Sequence, residues 1–200
     1  MKQLLKIVFI CCAFVLNSAY AVEIPRQVAK DYQAGLQGNA GANARAIEQL
    51  NALIEQNPAD PLVAAMLGSS ETARARYVDQ PWKKIRFSEK GLARLDKALQ
   101  LLLEEHAEAA PGQLSVWDRV TTAAACTFVA LPPMFQRFDQ GYEMLQRLIA
   151  SDSFTGAAGY QKIPVYHCAA RAASGAGDEA KARTYQSEIE QLQMQLKEGQ

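Results

Sequence analysis

Apolar residues recur at intervals of three and four along most of this chain. Ala46, Ile47, Leu50, Leu53 and Ile54 form one series, and Leu92, Leu95, Leu99, Leu102 and Leu103 form another. Met144, Leu145, Leu148 and Ile149 make a third, and Tyr185, Ile189, Leu192 and Leu196 a fourth. An α-helix turns once every 3.6 residues, so each series falls on one face and predicts an amphipathic helix. The intervening positions are mostly Ala, Gln, Glu, Lys and Arg, which favour helix, and runs of β-branched residues are scarce.

Breaks fall between the stripes. Asn57-Pro58-Ala59-Asp60-Pro61 ends one helix and starts the next, with Asp60 suited to cap it and Pro61 suited to its first turn. Ala110-Pro111-Gly112 is a second break, and Ser115 suits the cap that follows. Leu131-Pro132-Pro133 is a third. Gly175-Ala176-Gly177-Asp178 reads as a tight turn between helices, capped by Asp178. The pattern predicts an all-α chain of about eight helices, paired as hairpins near 27–57, 61–105, 114–150 and 162–198. One helix pair per 35 to 45 residues is the period of a helical repeat array. A lone hairpin cannot cover its own apolar face, whereas stacked hairpins cover one another. The last helix then needs a polar outer side, and EIEQLQMQLKEGQ has one.

The residues at these positions resemble the tetratricopeptide repeat. Ala46, Leu50, Leu53 and Pro58 match the small, packing and closing positions of that motif's second helix. Leu67-Gly68 resembles the place where its two helices touch, and Gly91-Leu92 to Ala98-Leu99 the matching second helix. Tyr166, Ala169, Ala170 and Ala173, then Gly177-Asp178, then Ala182, Tyr185 and Ile189 follow the pattern most closely. The motif's tryptophan is missing from these positions. The Pro-Trp-Lys-Lys segment and the Leu-Pro-aromatic turn also resemble a group of exported bacterial repeat proteins of uncharacterised function. The resemblance implies a superhelix with no fixed chemistry.

The start of the chain has a different character. Lys2 and Lys6 precede the apolar run IVFICCAFVL, and Ala19-Tyr20-Ala21 is a small-x-small cleavage site. This is the form of a secretory signal peptide, 1–21, cut after Ala21. The run falls short of the roughly 18 apolar residues that span a bilayer. The expected location is the periplasm, ahead of full secretion. The mature part, 22–200, is one domain. Loss of Lys2 and Lys6 leaves it 19 basic against 21 acidic residues, a net charge of −2. A chain of that balance has no general attraction for nucleic acid. Two cysteines remain, Cys126 and Cys168, in the first helices of neighbouring hairpins. In an oxidising compartment they are either bridged or two separate buried thiols.

The densest charge lies in DQPWKKIRFSEKG, residues 79–91. From Arg74 to Arg94 there are seven basic residues against Asp79 and Glu89, a local charge of +5. The repeat register puts about eleven extra residues between the helices of the second hairpin, so that 79–91 reads as a long loop there. It reads either as a docking surface, with Trp82, Lys83, Lys84 and Arg86 as partner-binding residues, or as a loop whose Trp82 and Phe87 tuck into their own hairpin. Met134, Phe135 and Phe138 read either as an exposed apolar grip or, in preference, as cover for the end of the array. His106 reads as solvated near a helix end. His167 abuts Cys168, but adjacent helical residues point in different directions and build no shared metal site.

No phosphate-binding, dinucleotide, GxSxG or HExxH pattern occurs. The sequence therefore points to a non-catalytic scaffold of the cell envelope, with no cofactor or metal. Its expected partner is an envelope protein or peptide segment, in an export, transport or assembly complex. The alternative is a peripheral membrane adapter whose basic-aromatic loop, 77–90, sits on anionic lipid.

Overall fold

The computed structural model describes residues 22–199, so the signal-peptide reading of 1–21 lies outside the described residues. Eight long helices follow one another: α1 (Arg26–Leu36), α2 (Ala40–Gln56), α3 (Pro61–Arg74), α4 (Pro81–Gln100), α5 (Val116–Phe128), α6 (Phe138–Ile149), α8 (Gly159–Gly175) and α9 (Glu179–Glu198). A one-turn helix, α7 (Asp152–Gly156), joins α6 to α8, and the sequence pattern had not predicted it. The fold is all-α. Helices pair as the hairpins α1/α2, α3/α4, α5/α6 and α8/α9, and the first helices α1, α3, α5 and α8 touch in series. This is a helical-hairpin repeat array.

The helix starts follow from side-chain caps. Asp60 Oδ1 accepts from Val63 N–H at 2.8 Å, and Asp178 Oδ1 from Lys181 N–H at 3.0 Å. Ser115 Oγ accepts from Asp118 N–H at 3.0 Å, while Asp118 Oδ2 accepts from Ser115 N–H at 3.1 Å. Each satisfies amide groups that the first turn leaves unpaired.

Two apolar clusters make up the core. The first joins α1 to α5 through Leu50, Leu67, Leu95 and Phe128. The second joins α5, α6, α8 and α9 through Leu145, Phe154, Val165 and Tyr185. Helix α3 is buried along almost its whole length because α1, α2, α4 and α5 all pack on it. Its crossing with α4 is made by two glycines. A Cβ on Gly91 would stand 2.0 Å from Thr72 Oγ1 and 2.5 Å from the Gly68 carbonyl oxygen. A Cβ on Gly68 would stand 2.8 Å from the Gly91 carbonyl oxygen.

That crossing corrects the reading of 79–91 as a loop. The connection between α3 and α4 is short, and from Pro81 the segment is the first half of a 20-residue helix. Pro81 is the first helical residue, where a missing N–H costs nothing. Gly91 is a close-approach residue inside the helix. The apparent insertion is thus extra helix. Residues 81–86 run past the end of α3 by about 9 Å, at about 1.5 Å per residue.

A second correction concerns His106. It is buried, and its Nδ1 accepts from Leu103 N–H at 2.9 Å, closing a 3-10 turn at Glu104–Ala107.

Candidate functional site

Two surfaces stand out, one expected from the sequence and one not. The expected surface is the projecting end of α4. Trp82 is 59% exposed, and the Lys83 ammonium lies 5.3 Å from its ring centroid. Arg86 follows Trp82 by four residues and shares its face, whereas Lys84 lies about 200° away around the helix. So Trp82, Lys83 and Arg86 form one group, and Lys84 faces another way. Phe87 does not join them: the Arg74 guanidinium stacks over its ring at 4.5 Å, closing the base of the projection.

The local charge is also smaller than the sequence suggests. Buried Glu71, on α3, takes Lys90 at 2.7 Å and Arg94 at 2.8 Å. Arg76 donates to the Leu36 carbonyl at 3.0 Å, capping the end of α1. Lys83, Lys84 and Arg86 make no ion pair among the described residues. These three retain the charge that a partner could meet.

The surface that the sequence did not locate is a groove on the side formed by the first helices. Helix α1 contributes Tyr32, Gln33 and Leu36, and α3 contributes Leu62 and Met66. Helix α5 contributes Arg119, Thr122 and Cys126, and α8 contributes Pro164, Val165 and Cys168. All four hairpins thus build one cavity, of about 270 Å³ and mostly apolar lining. Pro164 has no N–H, so the Tyr160 carbonyl lacks its usual helical donor beside this groove.

The cysteines meet in its wall. Cys126 and Cys168 are joined as a disulfide, with sulfurs 2.07 Å apart and α-carbons 5.4 Å apart. The bridge ties α5 to α8 and commits the Cys168 sulfur, so the Cys168/His167 pairing has no free thiol. His167 itself is exposed. Among the described residues no three His, Cys, Asp or Glu side chains gather as metal ligands.

Burial pushes the Tyr32 phenol up, so it remains a neutral hydroxyl at neutral pH. Arg119 is exposed at the groove mouth, and partial desolvation there lowers it below the usual arginine value, with Asp60 opposing the shift. Arg119 remains a cation at neutral pH. In the turn between α5 and α6 Met134 is exposed, while Phe135 and Phe138 pack against the first and second clusters. Phe138 also covers Gly175. The two aromatics cover the core within the third of four hairpins and not at the end of the array, and Met134 stays outside it.

No family model matches the chain, and no curated protein or solved structure shows significant similarity to it.

Proposed function

We propose that this chain is a non-catalytic interaction scaffold of the bacterial cell envelope, holding a peptide or protein segment in the groove between its first helices. The observation that carries the reading is the groove itself, because a surface to which every hairpin contributes is a product of the whole array. Helical arrays offer extended surfaces of this kind. The tetratricopeptide resemblance agrees with it. A role within an export, transport or assembly complex follows from the location that the signal-like start implies.

One contact would be strengthened by cleavage of that start. Cleavage after Ala21 would make Val22 the first residue, and its backbone nitrogen donates to Asp60 Oδ2 at 2.7 Å. A free α-ammonium there would form an ion pair with a buried carboxylate. Intact-mass measurement of the purified envelope form is expected to give a chain starting at Val22; a chain that retains residues 1–21 would contradict cleavage after Ala21.

The scaffold reading is tested by capture from envelope extract after gentle crosslinking. Gln33 is exposed at the groove, so Gln33→Trp fills the groove and should leave stability within about 0.5 kcal/mol. Capture is expected to fall with this variant. Equal capture by both proteins would overturn the groove as the binding surface.

The α4 projection supports a second contact, for an acidic partner. Lys83→Glu with Arg86→Glu should leave the fold intact and weaken capture. Its exposed tryptophan beside two cations also favours a second reading, a peripheral adapter on anionic lipid. Sedimentation with phosphatidylglycerol vesicles separates the two. The adapter sediments with vesicles without a protein partner and is released by salt, whereas the scaffold stays in the supernatant.

A further inference from the structure

We propose that the groove selects a peptide segment in which a carboxylate stands beside apolar side chains, and that Arg119 is the residue that fixes it. This rests on the scaffold reading and deepens it.

Arg119 is the one charged residue among those lining the groove. No carboxylate among the described residues pairs with it. The carboxylate whose charge acts on it, Asp60, is already engaged on both oxygens, by Val63 N–H at 2.8 Å and Val22 N–H at 2.7 Å. Elsewhere the fold pairs the arginines that stand at helix seams. Arg45 sits on Asp31 at 2.6 Å, Arg94 on Glu71 at 2.8 Å and Arg137 on Asp96 at 2.6 Å. Arg119, exposed at the groove, makes no such pair among the described residues.

The chemistry of the missing partner follows. A guanidinium presents a planar fork that matches a carboxylate with two parallel hydrogen bonds. Arg119 itself is exposed at the groove, so a segment laid over the apolar walls is what would shed water there and strengthen such a pair. The same walls require apolar groups on either side of the acid. The polar side chains nearby offer little competition. Gln161 is held by Leu114 N–H at 2.8 Å and by Gln113 at 2.7 Å, and Thr122 donates to the Asp118 carbonyl at 2.7 Å. Size points to a peptide. A cavity near 270 Å³ lies below the roughly 300–1,000 Å³ of a drug-sized ligand site. It suits one or two side chains of a longer segment.

The test is selection of displayed random dodecapeptides on the folded full-length mature protein, followed by titration of the selected peptides as synthetic probes. The expected consensus is Asp or Glu flanked by apolar residues. Replacing that acid by its amide should weaken binding about ten- to a hundredfold, the range for a hydrogen bond to a charged group. Arg119→Leu should weaken it equally, Arg119→Lys less, and the amide peptide should bind Arg119→Leu as well as the acid does. Peptides that are displaced by Gln33→Trp but carry no acid, and ignore Arg119→Leu, would overturn the carboxylate proposal and leave the groove reading standing. Failure to select any groove-dependent peptide would overturn both. A consensus dependent on phosphate would overturn the carboxylate as the ligand. If Arg119→Leu fails to fold, the acid-to-amide comparison on the unaltered protein still decides.

Discussion

Gly91→Ala is expected to destabilise the protein by about 3 kcal/mol, near the upper end for overpacking a tight site. Replacing Gly by Ala inside a helix ordinarily gains up to about 1 kcal/mol. Here sterics reverse the sign. The new methyl would stand 2.0 Å from Thr72 Oγ1, 2.5 Å from the Gly68 carbonyl oxygen and 2.6 Å from the Thr72 nitrogen. Two of these are backbone atoms, which cannot rotate away. Thr72 Oγ1 also donates to the Gly68 carbonyl at 2.9 Å, so moving the hydroxyl costs a buried bond. Helices α3 and α4 must separate, and α3 carries the packing of α1, α2 and α5 as well. In a domain of this size the loss corresponds to about 6–12 °C in melting temperature. Gly156→Ala is the control: nothing lies within 4 Å of its added Cβ. It should change stability by less than about 0.5 kcal/mol. Urea melts followed by circular dichroism measure both. A Gly91→Ala protein as stable as its parent would show that the two helices do not cross in contact.

Loss of the disulfide should cost about as much by another mechanism. The bridge closes 42 residues of sequence separation, and the chain-entropy relation gives about 4 kcal/mol for a loop of that length. The effect lies mainly in the unfolded chain, which the bridge keeps from expanding. It also has a native-state side, because α5 and α8 otherwise touch sparsely and both line the groove. Cys126→Ala with Cys168→Ala, and the unaltered protein in excess reductant, should show the same fall in urea midpoint. Thiol labelling in denaturant without reductant is expected to modify neither cysteine of the mature protein. Two labelled cysteines would exclude the bridge.

Most of the architecture was legible from the sequence because it is encoded locally. Apolar spacing marked the stripes, and Asp60, Ser115 and Asp178 marked three helix starts where their side chains now accept amide N–H groups. Residues 79–91 were misread because Pro and Gly each have two meanings. Pro81 starts a helix as well as it breaks one, and Gly91 marks a helix contact that can be seen only once α3 lies against it. Glu71 shows the same limit for charge. Nothing in the local pattern says that a glutamate on α3 will take up Lys90 and Arg94. The groove was the least legible feature. Tyr32, Met66, Arg119 and Val165 lie far apart in sequence, and each reads alone as an ordinary helical residue. Only the stacking of α1, α3, α5 and α8 makes Arg119 the single charge on an apolar wall.

That the groove is the working surface can be tested by placing a photo-crosslinking amino acid at single positions and irradiating cells. At Gln33 and Thr122, which line the groove, discrete adducts with one partner are expected. At Glu48 and Glu190, exposed outside that lining, no such adduct should form. Adducts from Glu48 or Glu190 with none from Gln33 or Thr122 would contradict the groove as the binding surface.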